Sequence, residues 1–373
     1  KSVAGFEDRT SEIVTNIVAD EPILSDIVVL SIGVLPDSSL AADAGLELGF
    51  KNSIAVNDWM QTSNPDIYAV GDAAEITHSV SGEKALISLA GPANKQARIA
   101  ADHICGVAHT YKGSAASSVL KVFDLTVAST GINERTAVAS GIDYEKIVLS
   151  PMSHASYYPG GTVMTIKLLF ERESDRILGA QIVGSDGVDK RIDVIATAMQ
   201  AGITAIGLKD LDLAYAPPYS SAKDPVNMAG FMAENIADGL VKQFHYEDIA
   251  DLRCRENVIL LDTRTPAEYA RGHAEGFRNI PLDDLRERLA ELDILVHGHT
   301  LDNLECEAMR RGLRLNPLNA LRGPDTAGRD VVNGGNDAGY ARDLGYVFKR
   351  YGVAVAVMAE CHFHPCCGFP FPV

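Results

Sequence analysis

The chain has 373 residues, of which 46% are hydrophobic and 22% charged, a balance that is ordinary for a globular protein of two or three domains. Its net charge of −17 excludes a general nucleic-acid binder, which needs a basic face. No apolar run approaches the roughly 20 residues of a transmembrane helix, and the six scattered cysteines form no disulfide framework, so we expect a cytoplasmic protein without a membrane partner.

The first third of the chain contains an apolar run that stops abruptly at a Gly-Asp turn. Residues Ile13–Val18 alternate with a period of two and Ile27–Ile32 are largely apolar, so both segments predict strands. Ile67–Val70 predicts a short buried strand whose carboxyl end presents Gly71 and then Asp72. Ligands of open α/β sheets bind beyond the carboxyl ends of strands, and a carboxylate there can accept hydrogen bonds from ribityl or ribose hydroxyls. The Gly-Asp pair alone fits a turn that caps the following helix equally well.

A helix and a linker follow this turn. Small and apolar residues recur at helical spacing from Lys95 to about Cys105, and Leu89–Asn94 forms the turn that opens this helix. Cys105 is expected to be a small buried residue, since free cysteine commonly packs as a hydrophobe. The Gly-, Ser- and Ala-rich segment Thr110–Ser118 predicts a linker.

The middle of the chain predicts an α+β domain. Its strand-like runs are Val119–Phe123, Thr126–Ser129, Lys146–Leu149, Val163–Phe170 and Ile177–Val183, and its helices are Val188–Ala201 and Pro225–Ala237. Tyr215 and Tyr219 flank a Pro-Pro turn that we expect to be rigid and exposed. His154 is expected to be a solvent or interface histidine rather than an acid or base.

The last third changes pattern twice. Val258–Asp262 predicts a buried parallel strand, a helix follows Thr265 and Pro266, and Gly272-His273 turns the chain back toward Ile280. Beyond residue 293 the pattern alternates strand and helix. The cluster His362–Cys367 lacks the spacing of common structural zinc sites, so no metal site is predicted.

In this order, the segments from about Val3 to Leu292 resemble the FAD-dependent pyridine nucleotide–disulfide oxidoreductases. They are most similar to the branch of coenzyme A-disulfide reductases and NADH oxidases that carries a C-terminal rhodanese domain. The resemblance implies FAD and NAD(P)H as cofactors, with coenzyme A disulfide or a small per/polysulfide as substrate. It also implies that FAD contacts one strand-end turn and one helix start, and the residues concerned are Gly71, Asp72, Leu89, Ala90, Gly91, Pro92 and Ala93.

The resemblance also assigns the remaining segments. Residues 113–240 resemble the interface domain through which two subunits pair, so we expect a homodimer. A tyrosine of this region, Tyr215 or Tyr219, assists the reactive thiolate in that family, although an aromatic pair that packs the interface fits equally well. Neither a G-x-G-x-x-G fingerprint nor the redox cysteine of the family occurs in the chain, so we expect it to be inactive alone.

Two further resemblances describe the end of the chain. Residues 241–293 resemble part of a rhodanese, in which Asp262, Arg264 and His273 tie loops together, but Gly298 occupies the position expected for the sulfur-carrying cysteine. Residues 294–373 resemble a fragment of the methylenetetrahydrofolate reductase barrel, too short to close.

The expected architecture is therefore α/β and α+β in several domains. It comprises a partial Rossmann-like FAD/NAD(P)-binding domain (1–112), a dimerisation domain (113–240), an incomplete rhodanese-like unit (241–293) and a partial (βα) barrel-like tail (294–373). Two alternatives to a flavin-dependent disulfide oxidoreductase remain: a non-catalytic dimerisation or binding module, and a folate-linked flavoenzyme that rests on the tail.

Overall fold

The computed structural model describes residues 3–9, 12–17, 21–241, 243–255, 258–292, 345–350 and 353–358. The chain divides into two compact units. The first unit comprises Lys1–Ile76 with Lys84–Tyr111, and the second comprises Thr77–Glu83 with Lys112–Val373. Among the helices in the described ranges, none has the length and apolar character needed to cross a membrane.

The first unit opens with an antiparallel sheet of three strands. Strand β2 (Glu12–Ile17) lies between β1 (Val3–Arg9) and β3 (Ile23–Ser25), so the strand predicted at residues 13–18 is confirmed. Two other predicted strands are wrong. Residues 27–32 are irregular, with Ile27 79% and Ile32 92% exposed, and residues 67–70 form only an isolated bridge between Gln61 and Tyr68. An apolar run becomes a strand only where a neighbouring strand satisfies its backbone, and none of the described strands lies alongside either run.

Short elements and one long helix complete this unit. Helix α1 spans Ser39–Asp43, and strands β4 (Ile76–Thr77) and β5 (Lys84–Ala85) are two residues each. Helix α2 (Ala90–Ile104) confirms the predicted helix and starts five residues earlier, within the predicted turn. The core of the unit gathers Met60, Ile76, Ala100 and Tyr111. Cys105 caps α2 and is exposed, so its predicted burial is wrong; the helix ends at this residue, which lies outside that core.

The second unit is built on a five-stranded antiparallel sheet with the order β6-β7-β10-β9-β8. The five predicted strands of this region are all present, and their bounds are β6 (Ser118–Val122), β7 (Leu125–Gly131), β8 (Tyr144–Leu149), β9 (Met164–Glu171) and β10 (Ile177–Gly184). Helices α3 (Glu134–Ala139), α4 (Val188–Ala201) and α5 (Pro225–Ala237) accompany them, and α4 and α5 have the predicted bounds. The main core contains apolar residues of β8, β9, β10, α4 and α5, among them Ile147, Ile166, Ile182, Ile195 and Met232.

A half-buried charge cluster ties α3 to this sheet. The carboxylate of Glu134 accepts hydrogen bonds from Tyr144 Oη (2.7 Å) and Lys146 Nζ (2.8 Å), and from Lys167 Nζ. Burial alone would raise the pKa of Glu134, but these three donors outweigh it and lower the pKa from 4.5 to about 2. Lys146 also bonds Glu247, which follows the dimerisation-like region, so the cluster links the two parts of the second unit.

A second sheet follows, with the order β11-β14-β15-β12-β13. Its strands are β11 (Gln243–Phe244), β12 (Val258–Asp262), β13 (Arg278–Asn279), β14 (Gly345–Arg350) and β15 (Val353–Met358), and the accompanying helices are α6 (Ile249–Arg253), α7 (Pro266–Arg271) and α8 (Leu282–Arg288). Strand β12 pairs in parallel with β13 and β15, which confirms the predicted parallel strand and the helix after Pro266. Gly298 and the cluster His362–Cys367 lie outside the described residues, as does most of the predicted barrel-like tail. The four predicted domain limits stay predictions.

Candidate functional site

The Gly-Asp turn is hydrogen-bonded to a buried glutamine. Gly71–Ala73 form a single turn of 3₁₀ helix, and Gly71 adopts a φ of +77°, which favours glycine because it lacks a Cβ. The Gly71 N–H donates to Gln96 Oε1 at 2.7 Å, and Gln96 is only 1% exposed on helix α2. The turn is therefore fixed relative to this helix, while Asp72 remains exposed.

The first turn of α2 lies next to this turn. Leu89 is the N-cap residue and makes no side-chain cap hydrogen bond, so the backbone N–H groups of the first turn receive no such partner. Ala90 and Gly91 are exposed, Pro92 and Ala93 are half-buried, and a Cβ on Gly71 would come within 3.8 Å of the Ala93 Cβ. The structure thus brings together the two segments that were predicted to hold FAD.

This arrangement suits the parts of a flavin cofactor. Small side chains at residues 90–93 leave room for a flat ring system, and a helix N-terminus favours negative charge near its first backbone N–H groups. The exposed Asp72 carboxylate can accept hydrogen bonds from a hydroxylated chain. The described residues therefore fit FAD.

The tyrosines at the Pro-Pro turn are exposed, as predicted. Tyr215 is 47% and Tyr219 72% exposed. The structure adds a residue that the sequence analysis missed, because Tyr157 Oη lies 3.0 Å from Tyr215 Oη although the two residues are 58 positions apart. This hydrogen bond raises the pKa of Tyr215, so its phenol keeps its proton to higher pH. No local sequence signal joins the two tyrosines.

His154 corrects one prediction. It is 4% exposed rather than at the solvent surface, and its Nδ1 lies 3.1 Å from the carbonyl oxygen of Ala155. The ring edge packs against Tyr158 with 5.7 Å between the ring centroids. The residue is therefore part of the packing beneath the tyrosine segment.

The rhodanese-like motif forms a buried ion pair at the end of β12. Asp262 and Arg264 are joined by an Arg264 Nη2 to Asp262 Oδ2 contact of 2.6 Å, and both side chains are almost fully buried. Arg264 also donates to the carbonyl oxygen of Gly272 at 2.9 Å, while His273 stacks on Tyr269 with 3.7 Å between ring centroids. These contacts join the loops around α7. Within the described ranges, no three His, Cys, Asp or Glu side chains come together in a way that could hold a metal ion.

Two protein-family models match this chain. The model described as pyridine nucleotide-disulphide oxidoreductase matches residues 1–97, and the dimerisation domain of the same family matches residues 117–225. The chain therefore belongs to the pyridine nucleotide-disulphide oxidoreductase family, whose members are flavoenzymes that use FAD and NAD(P)H.

Several named relatives of this chain are coenzyme A disulfide or persulfide reductases. A coenzyme A disulfide reductase of Staphylococcus haemolyticus is 36% identical over 57% of this chain and 48% of its own length. An NAD(P)H coenzyme A polysulfide/persulfide reductase of Pyrococcus horikoshii is 34% identical over 59% of this chain and 48% of its own length. The crystal structure of reduced Bacillus anthracis CoADR-RHD superposes with a TM-score of 0.72 and 47% identity, covering 79% of this chain and 52% of that one. The chain thus spans about half the length of the relatives it matches.

Proposed function

We propose that this chain is the C-terminal portion of a flavin-dependent NAD(P)H:disulfide oxidoreductase whose substrate is coenzyme A disulfide or a small per/polysulfide. The observation that carries the proposal is the Gln96 hydrogen bond, which holds the Gly71–Asp72 turn against the first turn of α2. The names of the relatives from Staphylococcus haemolyticus and Pyrococcus horikoshii support the substrate class.

Each candidate residue has a distinct role in this proposal. Asp72 would accept hydrogen bonds from the ribityl hydroxyls of FAD, and Leu89–Ala93 would face the isoalloxazine ring, where the helix N-terminus favours electron density on the ring. When bound, FAD supplies the electron transfer between NAD(P)H and the disulfide. Tyr215 offers its phenol hydroxyl to the leaving thiolate, and its hydrogen bond with Tyr157 fixes the position of that hydroxyl. Tyr219, more exposed and four residues further on, contacts the substrate.

The remaining regions support catalysis rather than perform it. Residues 113–240 pair two copies of the chain, and the exposed apolar side chains of β6 and the turn after it favour such an interface; they are Val119, Leu120, Val122 and Phe123. We infer that residues 241–293 form a rhodanese-like module; the Bacillus anthracis structure covers 79% of this chain, more than the residues 1–97 and 117–225 that the family models match. Since Gly298 replaces the expected cysteine, we predict no thiosulfate:cyanide sulfurtransferase activity.

Flavin retention tests the central proposal. The chain is mixed with FAD, alone and with the N-terminal half of a family member supplied in trans, and the bound flavin is measured by absorbance. Asp72→Ala should lower the flavin content strongly without changing the circular dichroism spectrum, whereas Asp66→Ala, which removes a nearby exposed carboxylate, should leave it unchanged.

Two outcomes would contradict the proposal. Equal flavin content in Asp72→Ala and the parent chain rejects the role of this carboxylate. If neither form of the experiment yields bound FAD while the chain still dimerises, the chain is a non-catalytic dimerisation module.

A further inference from the structure

One buried arginine contacts both segments that carry the tyrosine pair. Arg191 lies on α4 and is 1% exposed. Its Nη2 donates to the carbonyl oxygen of Ser153 at 2.9 Å and to the carbonyl oxygen of Tyr219 at 3.2 Å. Ser153 precedes Tyr157 by four residues, and Tyr219 follows Tyr215 by four. A single planar guanidinium therefore joins the two segments that carry the phenols.

The acid that balances this arginine belongs to the same loop. Arg191 Nη2 lies 3.0 Å from Asp224 Oδ2, and the Asp224 side chain is 3% exposed. Ser220 Oγ donates to the same carboxylate oxygen at 2.6 Å. Burial raises the pKa of Asp224, but the charge of Arg191 and the hydrogen bond from Ser220 outweigh burial and lower it, so the pair stays ionised. Asp224 also caps α5, which ends the loop at a rigid element.

A backbone hydrogen bond also joins the segment that carries Tyr157 to the segment that carries Tyr215. The N–H of Ala155 donates to the carbonyl oxygen of Ser220 at 3.0 Å. Beside this backbone bond, the guanidinium adds a hydrogen bond to each segment. A buried ion pair commonly adds little to stability compared with apolar residues of the same volume, and its best-attested role is to specify one arrangement.

We propose that Arg191 is a positioning residue that holds Tyr157 and Tyr215 in hydrogen-bond contact and thereby orients Tyr215 for the reduction described above. The second half of this statement rests on the proposed function; the first half concerns the geometry of this chain alone. The arginine touches neither phenol and acts through the backbone of both segments.

The test is a spectrophotometric titration of the tyrosines in the 373-residue chain. Tyrosinate absorbance is followed with pH in the parent chain and in Tyr157→Phe, which identifies the signal of the paired phenol. Arg191→Lys keeps the positive charge but loses the planar set of donors. We expect Arg191→Lys to remove the upward shift in the pKa of Tyr215, and we expect Tyr157→Phe to do the same. Arg172→Lys, the same exchange at an exposed residue in the turn after β9, should leave the titration of Tyr215 unchanged.

A second variant covers the case in which Arg191→Lys fails to fold. Ser220→Ala preserves the ion pair and removes one hydroxyl contact. It should therefore lower the pKa of Tyr215 by a smaller amount than Arg191→Lys does. Circular dichroism establishes that each variant is folded. An unchanged phenol titration in every folded variant of Arg191 and Ser220 overturns the inference.

Turnover separates this inference from the proposed function. With FAD and the N-terminal half of a family member present, Arg191→Lys should lower kcat by about 10- to 100-fold, because small displacements of a reacting group have effects of this size. The KM for NAD(P)H should not change, and Arg172→Lys should keep the parental kcat. If the parent chain shows no disulfide reduction but Arg191→Lys still alters the tyrosine titration, the positioning role is supported and the proposed function is rejected. An altered titration with parental kcat in Arg191→Lys refutes the catalytic half of the inference.

Discussion

Gly230→Ala is expected to destabilise the second unit, although alanine is the better helix former. Gly230 lies within α5 where this helix meets the 3₁₀ helix Ile206–Asp210. A Cβ at residue 230 would lie 2.2 Å from the backbone nitrogen of Lys209 and 2.8 Å from the carbonyl carbon of Leu208. Carbon atoms in contact normally stay about 3.5–4.0 Å apart, so the two elements must separate by more than about 1 Å.

The magnitude follows from the contacts that such a separation strains. Overpacking of this kind costs about 1–3 kcal/mol. Asn227, one turn earlier on α5, donates through Nδ2 to the carbonyl oxygens of Leu208 and Leu211 at 3.0 and 2.9 Å. Loss of these buried bonds adds about 1–3 kcal/mol. Replacement of glycine by alanine within a helix returns only about 0.5–1 kcal/mol, so we expect a net loss of about 1–5 kcal/mol.

Urea unfolding followed by circular dichroism measures this loss as a difference in free energy of unfolding. Gly272→Ala is the control, because its backbone is extended and a Cβ there meets nothing within 4 Å. The control should stay within about 0.5 kcal/mol of the parent chain. A Gly230→Ala protein at least as stable as the parent would show that α5 does not approach the 3₁₀ helix this closely.

Three further outcomes follow from named contacts. Because the folded-state pKa of Glu134 is lowered from 4.5 to about 2, its contribution to the free energy of unfolding is present above pH 4.5 and is lost as the pH falls toward 2; urea titrations should show Glu134→Gln flatter than the parent across this window, and parallel curves would contradict the assignment. Arg264→Met leaves the Asp262 carboxylate buried without its ion-pair partner and should cost about 3–5 kcal/mol, with partial recovery in the Arg264→Met/Asp262→Asn double variant; thermal melts would oppose the argument if the double variant were the less stable. Cys105 is exposed and should react with a thiol-specific dye in the native chain, at a rate that Cys105→Ser reduces; labelling that needs denaturant would restore the buried assignment.

The elements that the sequence predicted well carry their own boundary signals. Helix α4 begins after Gly187 and ends at Gly202, both with positive φ, and α5 begins at an Asp-Pro pair that forms a capping box. Strand β9 also alternates, because every second residue from Met164 to Phe170 lies in the main core beside the helices. In these segments, local chemistry and tertiary packing favour the same structure.

The wrong predictions concern properties that depend on neighbours. Residues 27–32 have strand-forming composition, yet a strand needs a paired edge, and this composition carries no information about what lies alongside. The errors at Cys105 and His154 have the same origin, since the exposure of a single residue is set by the elements packed over it. The FAD segments were paired by resemblance, and the Gln96 bond that joins them had no sequence signal.

The sequence nevertheless contains a partial signal for the contacts of Arg191. The buried stripe of α4 runs through Val188, Ile192, Ile195 and Ala198, and Arg191 falls within it at helical spacing. A charged residue in an apolar stripe costs several kcal/mol unless an opposite charge and hydrogen-bond acceptors meet it. Its position on α4 therefore requires a buried acid and several carbonyl oxygens from another segment, and the acidic residue before Pro225, at the end of the tyrosine loop, meets the first requirement. In an amphipathic helix, a charged residue within the apolar stripe therefore predicts that a loop with an opposite charge packs against it.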